Sequence, residues 1–188
     1  MVPELVLYVG PMFSGKSTRL VRKINRCKIA GRNIISFKPI MDNRYTSDGY
    51  IVTHDDSHAK CFLISKGSQL IEIFDQEHSK STIDSVAIDE AFMIDDIADA
   101  VVELFYNRKV SVYISSLDLS FSLSPFDEIA TLLSHATKVK KCKAVCPTCG
   151  EDASYTMRKS SGNNSQITVG GSELYEPRCL SHYANLNI

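Results

Sequence analysis

Residues 10–18 combine two glycines with a lysine and three hydroxyl side chains in the sequence GPMFSGKST. The spacing fits G-x-x-x-x-G-K-[ST], a phosphate-binding loop in which successive backbone N–H groups surround an anion. In such a loop Lys16 would reach the outer phosphates and Ser17 would hold Mg²⁺. The predicted phosphate-binding residues are Gly10, Pro11, Met12, Phe13, Ser14, Gly15, Lys16 and Ser17.

The elements around this motif favour a phosphate-binding loop over a glycine-rich turn without a ligand. An apolar strand is predicted over residues 4–9, and a helix with one apolar face over residues 16–30. This order brings the positive end of the helix dipole to the anion. A second strand over residues 33–38 predicts a parallel pair joined by a right-handed crossover.

Two adjacent acids, Asp89 and Glu90, end the apolar stretch at residues 83–88. In nucleotide-binding α/β proteins, an acid at the carboxyl end of a strand lies across from the phosphate loop. Asp89 would then hold Mg²⁺, directly or through water, and Glu90 would accept a proton from the attacking group. The alternative is that these two acids end the strand and have no function. The phosphate-binding motif upstream makes this alternative the weaker interpretation.

Four potential metal ligands lie near the end of the chain. Two residues separate Cys146 from Cys149, and the same spacing separates Cys179 from His182. C-x₂-C followed by C-x₂-H is typical of tetrahedral zinc, with four unliganded residues as the alternative. The protein fills every coordination position, so the predicted zinc is structural. The long polar loop between the two halves, held at its base by metal, suits a lid.

Residues 40–60 are polar and predict a loop that could include a short hairpin. A metal site is one interpretation of its four potential ligands, but a solvated loop explains them as well. These ligands are His54, Asp55, Asp56 and His58.

The remaining predicted elements belong to an α/β fold. Phe121 and Phe126 follow one predicted strand, where they could either stack on a planar base or anchor their loop in the core. The other elements are a strand at 61–64, a helix at 68–76, a helix at 94–107 with Asp95 and Asp96 in its first turn, a strand at 110–115, a helix at 127–135 and a lysine-rich edge strand at 137–144.

Size and charge narrow the class of protein. The 188 residues allow one domain with a small appendage, and we expect domains at residues 1–143 and 144–188. The 21 basic and 22 acidic residues nearly cancel, which predicts no nucleic-acid or membrane partner. The absence of a long apolar run and of a basic, cleavable start predicts a cytoplasmic protein. Clustered cysteines in such a protein suggest metal rather than disulfides.

Together these motifs resemble the compact, zinc-containing thymidine kinases, and the resemblance covers nearly the whole chain. Besides the two motifs above, it includes the sequences DNRY at 42–45, THD at 53–55, LD at 117–118, AVC at 144–146 and GG at 170–171. It implies an α/β fold: a P-loop parallel sheet with flanking helices and a small C-terminal zinc-binding domain carrying a lasso loop. It also implies ATP and Mg²⁺ as cofactors, deoxythymidine as substrate, dTTP as feedback inhibitor and a homotetramer.

The resemblance assigns roles to individual residues. Glu90 corresponds to the general base that deprotonates the 5′-hydroxyl of deoxythymidine, and Phe121 to the aromatic residue beside the thymine ring. The residues expected near the phosphates are Asp42, Asn43, Arg44 and Asp89. The residues expected at the nucleoside are Met93, Leu117, Phe121, Phe126, Thr156, Gln166, Ile167, Thr168, Val169, Gly170 and Tyr175.

The chain departs from the family pattern in two places. Residues 91–93 are Ala-Phe-Met where the family usually has Gly-Gln-Phe, so Met93 gives the base pocket a softer wall. Gln166 and Thr168 stand where some relatives carry valine. Three other functions therefore stay open: a kinase for a different deoxynucleoside, a P-loop ATPase with a zinc interaction module, and an inactive nucleotide-binding module.

Overall fold

The computed structural model describes residues 2–42, 49–53, 57–159 and 170–183. Among these, the first half of the chain contains β1 (Leu5–Val9), α1 (Lys16–Ile29), β2 (Ile34–Pro39), β3 (Tyr50–Val52), β4 (His58–Lys60), β5 (Phe62–Ile64), α2 (Gly67–Lys80) and β6 (Ser85–Ile88). The second half contains a 3₁₀ turn (Ala91–Met93), α3 (Ile97–Val102) with a π-helical continuation (Glu103–Asn107), β7 (Ser111–Ser116), α4 (Asp127–His135), β8 (Lys138–Lys141), β9 (Ala144–Val145), β10 (Asp152–Ala153), β11 (Tyr155–Arg158), β12 (Tyr175–Arg178) and α5 (Leu180–Tyr183).

Six parallel strands form the central sheet, in the order β5-β2-β6-β7-β1-β8. Every residue of β1, β6 and β7 is buried, as expected for parallel strands covered on both faces. The predicted α/β class is confirmed, but the predicted pairing of the first two strands was wrong: β1 and β2 run parallel in the same sheet, with β6 and β7 between them. Because all six strands run the same way, β1 and β6 deliver their following loops to one edge of the sheet.

The core has one layer on each face of the sheet. Alternate residues of β1 point to opposite sides, so Leu5 and Leu7 pack with α2, α3 and α4, while Val6 and Tyr8 pack with α1. The lysine-rich strand β8 lies at the edge of the sheet and all its residues are exposed, which confirms the predicted edge strand. No helix in the described part of the chain has the length and apolar content needed to cross a bilayer.

Several predicted boundaries were wrong. The helix predicted from residue 94 begins at Ile97, so Asp95 and Asp96 precede it. The backbone of Asp95 instead bridges to the β5–α2 connection: its N–H donates to Ser65 at 3.0 Å and its carbonyl accepts from Gly67 at 2.8 Å. These long-range bonds, which local helix propensity does not register, delay the start of α3.

Two other predicted elements also end elsewhere. Helix α2 runs to Lys80, four residues past the predicted end at Gln76, and the Lys80–Glu77 ion pair lies in this extra turn. The strand predicted at 137–144 ends at Lys141, and Ala144 pairs with Ala153 in a separate hairpin. The short hairpin expected within residues 40–60 is present as β3 and β4.

The cysteine module, which we define as residues 144–159 and 170–183, consists of two hairpins and a helical turn. Strands β9 and β10 pair antiparallel, as do β11 and β12, and α5 follows β12. Its own buried cluster contains only Ala144, Cys146 and Ala153, with Cys179 against them. So small an apolar core favours additional stabilisation by metal.

Candidate active site

Two glycines shape the loop between β1 and α1. Gly10 has φ 143°, and a Cβ there would lie 2.3 Å from the carbonyl oxygen of Cys142. Gly15 has φ 72° and immediately precedes Lys16, the first residue of α1. Phe13 is also left-handed, with φ 64°, which is costly for a residue with a side chain. These backbone angles make the loop tight, so that the loop curves around the first residue of α1.

The lysine of the motif lies inside this loop. Lys16 is only 6% exposed, and its Nζ donates a hydrogen bond to the Pro11 carbonyl at 2.7 Å. Ser14 Oγ donates to the same carbonyl, also at 2.7 Å. The bond from Lys16 keeps the ammonium beside the loop, where an anion would meet it, and the bond from Ser14 holds the same carbonyl in place.

The acids at the end of β6 face the phosphate-binding loop. Ser17 Oγ donates to Asp89 Oδ1 at 2.9 Å, although 72 residues separate them. Glu90 lines the same cavity as residues 12–18, together with Val52 and Thr53. The structure thus brings Lys16, Ser17, Asp89 and Glu90 into one crevice at the carboxyl edge of the sheet.

Burial and a neighbouring negative charge act on the ionisation of Asp89. Burial, together with the negative charge of Glu90, raises the pKa of Asp89 above its usual range, although a hydrogen bond from Ser17 opposes the shift. Glu90 is 9% exposed and adopts a left-handed backbone conformation with φ 48°. Left-handed non-glycine residues cluster at functional sites, and this one aims a carboxylate into the crevice.

Two further polar residues near the acids are buried: the sequence predicted Asp42 near the phosphates, whereas Lys38 was not singled out. Lys38, at the end of β2, is 3% exposed, and Asp42 is 6% exposed. Burial raises the pKa of the Cys61 thiol to about 12, with the Lys38 charge opposing and the Asp89 and Asp42 charges reinforcing the shift. The Asp89 N–H donates to the Phe37 carbonyl at 2.9 Å, and Phe37 pairs with Ile88, so Lys38 and Asp89 follow paired residues of β2 and β6. The burial of Lys38 beside buried acids marks it as a candidate site residue, and the sequence pattern alone did not reveal this burial.

Four apolar residues of the large core cluster, which we call the apolar wall, include Met12, which also lines the crevice. Met12, Leu117, Phe126 and Tyr175 belong to one buried cluster, and Phe121 packs against it partly exposed. The Phe126 ring lies 4.7 Å from the Phe92 ring, which favours the core-anchoring alternative for Phe126.

Two more predicted nucleoside residues are buried. Met93 is buried in the 3₁₀ turn after Glu90. Thr156 Oγ1 accepts a hydrogen bond from the Met12 N–H at 3.0 Å, which joins β11 to the phosphate-binding loop. Gly170 lies at the start of the segment that leads into β12.

Some predicted site residues lie outside the described part of the chain. These residues are Asn43, Arg44, Gln166, Ile167, Thr168 and Val169, together with His54, Asp55 and Asp56 of the weaker metal hypothesis.

The four predicted zinc ligands converge in the cysteine module. The ligand atoms of Cys146, Cys149, Cys179 and His182 all lie within 4.8 Å of one another. The Cys149 and Cys179 sulfurs are 3.7 Å apart, close to the roughly 3.8 Å edge that Zn–S bonds of about 2.3 Å give a tetrahedron. His182 Nδ1 lies 3.1 Å from Cys179 Sγ and 3.9 Å from Cys146 Sγ.

The backbone around Cys146 favours its thiolate, the form that binds a cation. Although burial opposes it, N–H groups of Cys179, Thr148 and Cys149 lower the pKa of Cys146 to about 6. Gly150, with φ 77°, closes the turn by donating to the Cys146 carbonyl at 2.9 Å. Three thiols and an imidazole at these distances fit structural zinc and leave no position open for a substrate.

Comparison with known families agrees with this geometry. A family model described as thymidine kinase matches residues 3–183 of the chain. The chain belongs to the thymidine kinase family. The match spans both the crevice and the four metal ligands, so this enzyme is a kinase, which transfers a phosphoryl group to an acceptor. The resemblance inferred from the motifs is thereby confirmed.

Proposed function

We propose that this kinase transfers the γ-phosphoryl group of ATP to the 5′-hydroxyl of deoxythymidine, giving dTMP for DNA precursor salvage. The observation that carries the proposal is the crevice in which Ser17 and Asp89 are 2.9 Å apart beside Glu90, in a chain of this family. Deoxyuridine, which lacks only the ring methyl group, is the expected secondary substrate.

The loop and the start of α1 would bind the triphosphate. The backbone amides of residues 13–17 would supply donors, the α1 dipole favours negative charge, and Lys16 would neutralise the outer phosphates. Ser17 and Asp89 would hold Mg²⁺, which when bound spreads the negative charge of the transferred group. Asp42, Asn43 and Arg44 are proposed to lie near the phosphates.

Glu90 is the proposed catalytic base. Its carboxylate would accept the proton of the 5′-hydroxyl as that oxygen attacks the γ-phosphorus and ADP leaves. The rigid left-handed turn at Glu90 and its burial would keep the acceptor oxygen oriented and shielded from bulk water. Exclusion of water would also limit wasteful ATP hydrolysis.

The apolar wall beside Glu90 is the proposed nucleoside site. The wall contains Met12, Leu117 and Tyr175, with Phe121 partly exposed at its side, as a planar base requires. Met93, Phe126, Thr156 and residues 166–170 complete the proposed set. The four ligands of the cysteine module would hold a structural zinc that secures the base of this segment. We also propose dTTP as inhibitor, a homotetramer and a cytoplasmic location.

The decisive experiment compares Glu90→Gln with Glu72→Gln, a control on the exposed face of α2. We expect Glu90→Gln to lower kcat for deoxythymidine by about 10²-fold to 10⁴-fold while ATP still binds. The control should keep wild-type kcat. Each nucleoside is assayed with labelled ATP: a preference for deoxycytidine or deoxyguanosine, or ATP hydrolysis without any acceptor, would replace the proposed function.

A further inference from the structure

Tyr183 connects the metal-ligand segment to the loop that carries Phe121. It directly follows His182 in α5, and its hydroxyl donates a hydrogen bond to the Phe121 carbonyl, 62 residues away in the chain. The Tyr183 side chain is 5% exposed. A tyrosine hydroxyl is both donor and acceptor, and here it donates to a carbonyl oxygen that can only accept.

The donor is held rigidly on its own side. The Tyr183 N–H donates to the Cys179 carbonyl at 2.9 Å, and the His182 N–H donates to the same carbonyl at 3.2 Å. The Tyr155 ring of β11 lies 5.4 Å from the Tyr183 ring, within the range of favourable aromatic contacts. The hydroxyl is therefore fixed to the turn that carries two of the four metal ligands.

The acceptor lies in a compact turn between β7 and α4. The Ser120 N–H donates to the Ser124 carbonyl at 2.9 Å, and Leu123 is left-handed with φ 62°. The Phe121 side chain projects from this turn, partly exposed, towards the apolar wall. Its ring has a second contact with the cysteine module, because the Arg158 guanidinium carbon lies 5.4 Å from the ring centre.

We propose that Tyr183 is a positioning residue for the nucleoside: it fixes the Phe121 backbone so that the ring, held also by Arg158, presents its face to the base. This inference rests on the proposed function, in which Phe121 lies beside the thymine ring. It extends the role of the cysteine module, because the segment next to the metal ligands would set nucleoside affinity as well as hold the fold. Tyr183 itself does not touch the substrate.

The test is Tyr183→Phe, which removes only the hydroxyl, with Tyr106→Phe on the far surface as the matched control. We expect KM and calorimetric Kd for deoxythymidine to rise about threefold to tenfold, the effect of one neutral hydrogen bond. KM for ATP, kcat and zinc content per chain should stay at wild-type values. An unchanged deoxythymidine Kd with a lower Tm would mean that Tyr183 is only structural, and would overturn the inference.

A double-mutant cycle tests whether the effect passes through Phe121. In a Phe121→Ala background, Tyr183→Phe should no longer change the deoxythymidine Kd, whereas full additivity would contradict the inference. If Tyr183→Phe fails to fold, Arg158→Gln is the test variant, because it changes the contact to the Phe121 ring and leaves the metal ligands in place. A wild-type deoxythymidine Kd in Arg158→Gln would then overturn the inference. Failure of wild-type enzyme to use deoxythymidine would instead contradict the proposed function, so the two failures are distinguishable.

Discussion

The backbone N–H of Met12 donates to the hydroxyl oxygen of Thr156 at 3.0 Å, a bond that joins two regions 144 residues apart. Both groups are buried, so the bond has no competition from water. It connects the phosphate-binding loop to β11, the strand that leads into residues 160–169. A buried hydrogen bond therefore joins the loop that would hold ATP to β11, which contains Thr156 of the proposed nucleoside site.

Thr156→Val should disturb both substrates, because it leaves the Met12 N–H without this acceptor at nearly constant side-chain volume. We expect a loss of about 1–3 kcal/mol in the free energy of unfolding, the cost of an unsatisfied buried donor. KM should rise for ATP and for deoxythymidine together. Thr156→Ser retains the hydroxyl and is the matched control. Urea unfolding and two-substrate kinetics provide the measurements; a rise in only one KM would contradict the shared role.

Asp89→Asn should stabilise the enzyme without nucleotide at alkaline pH. Burial and Glu90 raise the pKa of Asp89 from near 4 in the unfolded chain towards about 7. The folded protein therefore holds this proton more tightly, and the resulting stability is present below pH 4 and lost as pH rises through the folded pKa. Asparagine stays neutral, so the variant should exceed wild type by about 1 kcal/mol or more at pH 8 and match it near pH 4.

Thermal unfolding at several pH values, with the exposed Asp99→Asn as control, measures this difference. The same experiment with Mg²⁺ and ATP should reverse the order, because wild type gains stabilisation by binding that the variant lacks. Equal stability of Asp89→Asn and wild type at pH 8 would show that the buried acid carries no such cost.

The sequence predicted the features that residues close together in the chain determine. It missed the features that depend on contacts between residues far apart in the chain. The phosphate-binding loop and the cysteine ligands are defined within a few residues, and both were located before the structure. The start of α3 was missed because the Asp95 backbone bonds to Ser65 and Gly67, about thirty residues earlier. Lys38 was missed for a similar reason: only the assembled sheet brings β2 beside the acids after β6.

Gly10→Ala should cost far more than an ordinary glycine substitution. Its φ of 143° disfavours any side chain, and the new Cβ would lie 2.3 Å from the backbone oxygen of Cys142. Gly31→Ala is the matched control, because Gly31 also has positive φ, 70°, but open space around its Cβ position. We expect about 1 kcal/mol for Gly31→Ala and at least 3 kcal/mol, with loss of ATP binding, for Gly10→Ala. Similar losses in the two variants would mean that the contact with Cys142 relaxes freely.

Metal removal should affect the cysteine module first and the crevice through it. The purified enzyme is expected to contain one zinc per chain. Cys149→Ser should lose this zinc. Cys27→Ala, which changes a thiol on the buried face of α1, should retain it. Because zinc binds thiolates and protons compete with it, acidification to below the pKa of the metal-free Cys146 thiol, about 6, should release the metal. Since the module contacts the rest of the enzyme at Met12 and Phe121, zinc loss should weaken deoxythymidine binding before the sheet unfolds. Metal content, calorimetric Kd and far-ultraviolet circular dichroism at each pH measure these three events; unfolding of the sheet together with metal release would contradict this order.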